Sequence, residues 1–191
     1  MTLPSPTEES RVDLLRWHLD RYDRLRASTA SRASVLLSAG AILSAGNALV
    51  LSQLFGETRL ATWVLVVLAL LLTASVILVV TALIRASGVL VTLRPSRELF
   101  PGGSDLPESL LFNGPDTIKI ASSFEMFAAA ASAQDYAQIK QAALVELWIV
   151  IHQHRYRYAR LRAAAQVLRW AAIAFVAVVI GLVAANLASA L

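Results

Sequence analysis

The chain has 191 residues, of which 57% are hydrophobic and only 16% charged, with a net charge of +4 and a mean hydropathy of +0.62. An ordinary soluble domain carries about 25% charged residues, so this composition fits that class poorly. The absence of cysteine excludes a disulfide framework, thiol catalysis and cysteine-ligated zinc.

The N-terminal segment, residues 1–32, opens with "LPSPTEES", where Thr7 ahead of acidic residues is suited to cap a helix. "RVDLLRWHLDRYDRLRAST" continues as helix. Arg11, Leu15, His18, Tyr22, Leu25, Thr29 and Arg32 recur at alternating steps of four and three, which places them in one stripe. Two readings follow: a helix-packing seam with arginine ends, or a seam that also lines a polar pocket.

Three uncharged runs follow: residues 33–54, 60–84 and 170–191. A hydrocarbon core about 30 Å thick needs about 20 apolar helical residues, so each run predicts a membrane span. The first begins too far from the start for an ordinary signal sequence and is expected to be retained. Its small residues, among them Ser38, Gly40 and Ser44, surround Asn47 at bilayer depth. Small residues let helices approach closely, and an asparagine can hydrogen-bond across them. The surface reads equally as a packing seam within one subunit or as a self-association face. The second run, rich in leucine and valine, reads as lipid-facing.

Between the second and third runs, residues 85–169 carry most of the remaining charge. "SGVLVTLRP" is either an extended piece or the end of a long helix. "ELFPGGSDLPESLLFNGPDT" is a loop by its Pro and Gly content, and Asp116 is placed to start a short helix. From "SSFEMF" onward the pattern is helical, with a candidate break near Ser132. No Gly or Pro interrupts residues 132–170, so the last helix is expected to run continuously into the third span. Basic residues concentrate in 1–32 and 85–169. The positive-inside tendency therefore places both segments in the cytoplasm and the C-terminus outside.

No enzyme constellation is present: neither a phosphate-cradling glycine loop nor a nucleophile elbow occurs, and no catalytic or metal site is expected. His152 and His154 are two apart and so fall on different sides of a helix, unlike the spacing of helical metal ligands. The basic stretch "HQHRYRYARLRAAAQVLRW", residues 152–170, is the main polar feature. Arg155, Tyr158, Arg162 and Arg169 share one helix face, while Arg157 and Arg160 point elsewhere. Such a face can fork hydrogen bonds to a phosphate and stack a base. It can equally anchor a helix at lipid headgroups. Anchoring suits Arg162, Arg169 and Trp170 beside the span; for Arg155, Arg157 and Tyr158, farther from it, ligand contact stays open.

Four elements occur in an order that resembles the transmembrane effectors of Pycsar antiphage systems: "STASRASVLLSAGAIL", "ESLLFNG", "AQDYAQIKQ" and "RYRYARLRAA". Arg32-Ala33-Ser34 stands where the family often has Lys-Ala-Ser, Arg157 also replaces a lysine, and Ala30 replaces an expected acid. The resemblance implies an all-α integral membrane protein with three transmembrane helices and a cytoplasmic helical region. It implies activation by a cyclic pyrimidine nucleotide, cCMP or cUMP, made by a partner cyclase, with impairment of the bacterial inner membrane. Under that reading Arg32, Arg155 or Arg157 would hold the phosphate, and Tyr22, His152 or Tyr158 would lie near the base. A homo-oligomer is expected, with no nucleic acid polymer as partner and no enzymatic activity. The alternative is a membrane scaffold that recruits a cytoplasmic partner.

Overall fold

The computed structural model describes residues 8–56, 61–91 and 121–190. Thr7, Arg59, the Pro/Gly-rich loop with "ESLLFNG", and Asp116 lie outside them. The described residues form four helices and no strand: α1 (Glu8–Leu54), α2 (Thr62–Leu90), α3 (Phe124–Ser132) and α4 (Tyr136–Ala190). Three of them, α1, α2 and α4, are long and apolar enough to cross a membrane. "SGVL" closes α2 and Val91 after it is extended; the remainder of that stretch, residues 92–95, lies outside the described residues.

Local chemistry explains the break after Ser132. Ser123 caps α3 by accepting from the Met126 amide at 3.3 Å. Asp135 and Gln138 then form a reciprocal capping box at the start of α4. The Gln138 amide donates to Asp135 Oδ1 at 2.8 Å, and the Asp135 amide donates to Gln138 Oε1 at 3.0 Å. Two otherwise orphaned donors are thereby satisfied. From that cap, α4 runs 55 residues.

The chain divides into two compact units, residues 1–27 with 93–156 and residues 28–92 with 157–191; α1 and α4 contribute to both. In the first, Ala142, Ala143, Ile149 and Val150 of α4 are buried. Tyr22 of α1 meets His154 of α4 edge-on, with ring centroids 5.8 Å apart.

The second unit is a three-helix bundle. One cluster joins Ala33, Val89 and Leu161, with Leu36 against it. Another joins Val50, Leu54, Leu68, Leu72, Val178 and Leu182. Those pairings make α1 and α4 parallel and α2 antiparallel to both. The buried residues of α2 are Leu68, Leu72, Ser75, Val79, Ala82, Ala86 and Val89, and their alternating steps of four and three make a heptad seam. Thus α2, lipid-facing by composition, buries one face and exposes Trp63, Leu70, Ile77 and Ile84 on the others. In α4 the corresponding seam is Arg157, Leu161, Ala164, Leu168, Ala171, Val178 and Leu182.

Small residues bring these helices close. Ser75 and Ala171 are both fully buried, and the Ser75 hydroxyl donates to the Ala171 carbonyl at 3.1 Å. A Cβ on Gly40 would meet Leu83 at 2.6 Å, and one on Gly46 would meet the Phe175 ring at 2.9 Å. At Gly88 the Arg160 guanidinium occupies the place a side chain would need. In lipid, such packing replaces the hydrophobic drive that holds soluble bundles together.

Candidate functional site

Polar groups gather in two places. In the first unit the central residues are Tyr22, Asp23 and Arg26 of α1 and Glu146 and His154 of α4. Glu146 is half-buried and lies well before the apolar run that starts at Trp170. Burial pushes its carboxyl above the usual range; Arg26 opposes this and Asp23 adds to it. Two polar relations thus link α1 and α4 in this unit: the Tyr22 ring with the His154 imidazole, and the charges of Arg26 and Asp23 with the Glu146 carboxyl.

His152 takes no part in that ring contact. It packs on Trp148 with ring centroids 4.1 Å apart, and its Nδ1 lies 3.0 Å from the Trp148 carbonyl oxygen. Arg155 is exposed. Farther along α1, Trp17 is 49% exposed, with the Arg21 guanidinium 5.5 Å from its ring centroid.

Arg32, Arg157 and Tyr158 belong to the second unit. Arg157 is buried, in phase with Leu161 and Ala164, whereas Tyr158 is half-exposed. Arg32 is exposed, because the seam of α1 passes through fully buried Ala33 instead. The described residues of this unit contain Arg32, Arg85, Arg157, Arg160, Arg162 and Arg169 and no carboxylate. All but Arg169 flank the cluster of Ala33, Val89 and Leu161 in sequence, which sets them toward one end of the bundle.

The small-residue face of α1 also divides. Gly40 and Asn47 are on the buried seam with Ala33 and Val50, and Ser38 and Ser44 are exposed. The Ser38 hydroxyl donates to the Ser34 carbonyl at 3.1 Å and the Ser44 hydroxyl to the Gly40 carbonyl at 2.9 Å. Each serine is thus satisfied within its own helix, as lipid requires. Asn47 is different: it is 3% exposed, and neither its Oδ1 nor its Nδ2 has a hydrogen-bond partner among the described residues.

Sequence reasoning passed over Glu146 and His154. The phase of His154 follows from the burial of Val150, four before it, and of Arg157, three after it, which the sequence pattern does not display. The capping box "DYAQ" was a missed signal. Among the described residues, no group of histidines and carboxylates could hold a metal ion. In comparisons with known proteins, no family model, curated protein or solved structure matches the chain.

Proposed function

We propose that the chain is a membrane effector of a cyclic-nucleotide antiphage system, residing in the bacterial inner membrane with its N-terminus in the cytoplasm. A cyclic pyrimidine nucleotide, cCMP or cUMP, from a partner cyclase activates a homo-oligomer that impairs the membrane. The reading rests on the ordered resemblance of its sequence elements. The observation that supports it best is the contact between the Tyr22 and His154 rings, outside the three apolar runs. Arg155, exposed and next to His154 in sequence, is suited to fork onto a cyclic phosphate, and an aromatic ring such as Tyr22 to lie against a pyrimidine. Ligand can shift the helices only by binding one arrangement more tightly than another.

Calorimetry on the purified full chain tests this. One of the two nucleotides is expected to bind, with at least tenfold loss in Arg155→Ala and in Tyr22→Ala. Absence of binding by both nucleotides overturns the proposal. The scaffold alternative has its own support in Leu14 and Trp17, both about half exposed on α1 outside the apolar run. Ligand-independent capture of a partner, lost in Trp17→Ala, would favour it.

A further inference from the structure

Within the second unit, α1 and α4 enclose a groove of about 510 Å³. Its walls are apolar or small, from Ala39, Ile42 and Gly46 of α1 and from Ala165, Ala172 and Phe175 of α4, and the single charge on it is Arg169. Pockets of about 300–1,000 Å³ hold ordinary small ligands, so the volume is sufficient for part of an acyl chain. Gly46 keeps the floor open to the Phe175 ring, where a Cβ would collide.

We infer that this groove is a binding site for an anionic phospholipid, with an acyl chain along the apolar walls and the phosphate on Arg169. Charge decides the occupant. No carboxylate occurs among the described residues of this unit, so a second copy of this bundle would bring more arginines rather than a counter-charge. A soluble anion would find one cation and no other polar lining. An anionic lipid supplies both the apolar chain and the negative headgroup. Arg162 lies seven residues before Arg169 on the same exposed face, about 10 Å along the axis. Arg162 thus adds a second positive charge on the face that would meet anionic headgroups. Trp170 beside them is 63% exposed, as suits an aromatic residue at the headgroup level.

Native mass spectrometry of the full chain in neutral detergent provides the test. The probes are phosphatidylglycerol, phosphatidylcholine and headgroup-only glycerol phosphate. Phosphatidylglycerol is expected to bind at least tenfold more tightly than phosphatidylcholine, and glycerol phosphate not to compete. Arg169→Gln is expected to lose at least tenfold in phosphatidylglycerol affinity. Arg85→Gln removes the same charge from the exposed surface of α2, away from the groove, and is expected to change affinity less than twofold. Ala165→Phe fills the groove while leaving Arg169 in place, and is expected to weaken lipid retention as well. Helicity and elution volume establish that each variant is folded. Equal losses in Arg169→Gln and Arg85→Gln would reduce the effect to surface charge and overturn the site. So would equal binding of the two lipids, effective competition by glycerol phosphate, or full retention in folded Ala165→Phe.

Discussion

Replacing Asn47 by leucine is expected to stabilise the three-helix bundle. The residue is 3% exposed, lies one turn before buried Val50 on the same seam, and leaves both polar atoms of its amide without a partner among the described residues. A buried unsatisfied group costs about 1–3 kcal/mol relative to one that is paired. In a membrane the unfolded reference state also finds partners for polar groups, so interhelical polar contacts average only about 0.6 kcal/mol. Leucine keeps the branched heavy-atom skeleton and leaves no cavity, while its methyl groups are bulkier than the amide and offset part of the gain by overpacking. The expected gain for Asn47→Leu is therefore about 1–2 kcal/mol, the lower part of the unsatisfied-group range. Asn47→Ala removes the same amide but leaves a void, so its gain should be smaller or reversed. Unfolding in mixed micelles, followed by far-UV circular dichroism, measures both. A loss of more than about 1 kcal/mol in the leucine variant would refute the reasoning, because it would mean the amide has a partner worth that much. A polar residue at one seam position can also define helix register at some cost in stability. A stabilised Asn47→Leu protein with altered oligomer size would locate that role here.

At the closest helix crossing, Ser75→Ala is expected to cost about 0.6 kcal/mol by removing the bond to the Ala171 carbonyl. Ser75→Leu should cost about 1–3 kcal/mol more by overpacking a fully buried position; the same unfolding assay compares them, and equal effects would contradict the close approach. For Glu146, burial raises the folded-state pKa above its ordinary 4.5, so the folded chain holds that proton more tightly than the unfolded chain. Its contribution is fully present below the ordinary value and is lost as pH rises through the folded value. Glu146→Gln should therefore be more stable than wild type near neutral pH and show a flatter profile above pH 4.5. A variant that keeps the wild-type slope would remove Glu146 as its source.

The sequence by itself determined that there are three membrane-length helices, since uninterrupted apolar length is a local property that bilayer thickness reads directly. It also offered a candidate break near Ser132 and, through the absence of Gly and Pro from 132–170, the continuity of α4 into the last apolar run, because helix breakers act within a few residues. Only the tertiary structure decided which face of each helix is buried. Hydropathy cannot show this within a span: lipid tails and a protein core are equally apolar, so no hydrophobic stripe separates them. That is why α2 conceals its heptad seam behind uniform leucine and valine, and why Ser38 and Asn47 look alike in sequence yet face opposite ways. In the polar segment the limit is phase. Shifting the seam by one position puts Ala33 inside and Arg32 outside, and it brings His154 rather than His152 to Tyr22. The arginines of the basic stretch were visible from the start. What tertiary packing added is that Arg157 turns into the bundle, while Arg162 and Arg169 stay on its outer face, with Arg169 on the wall of an apolar groove.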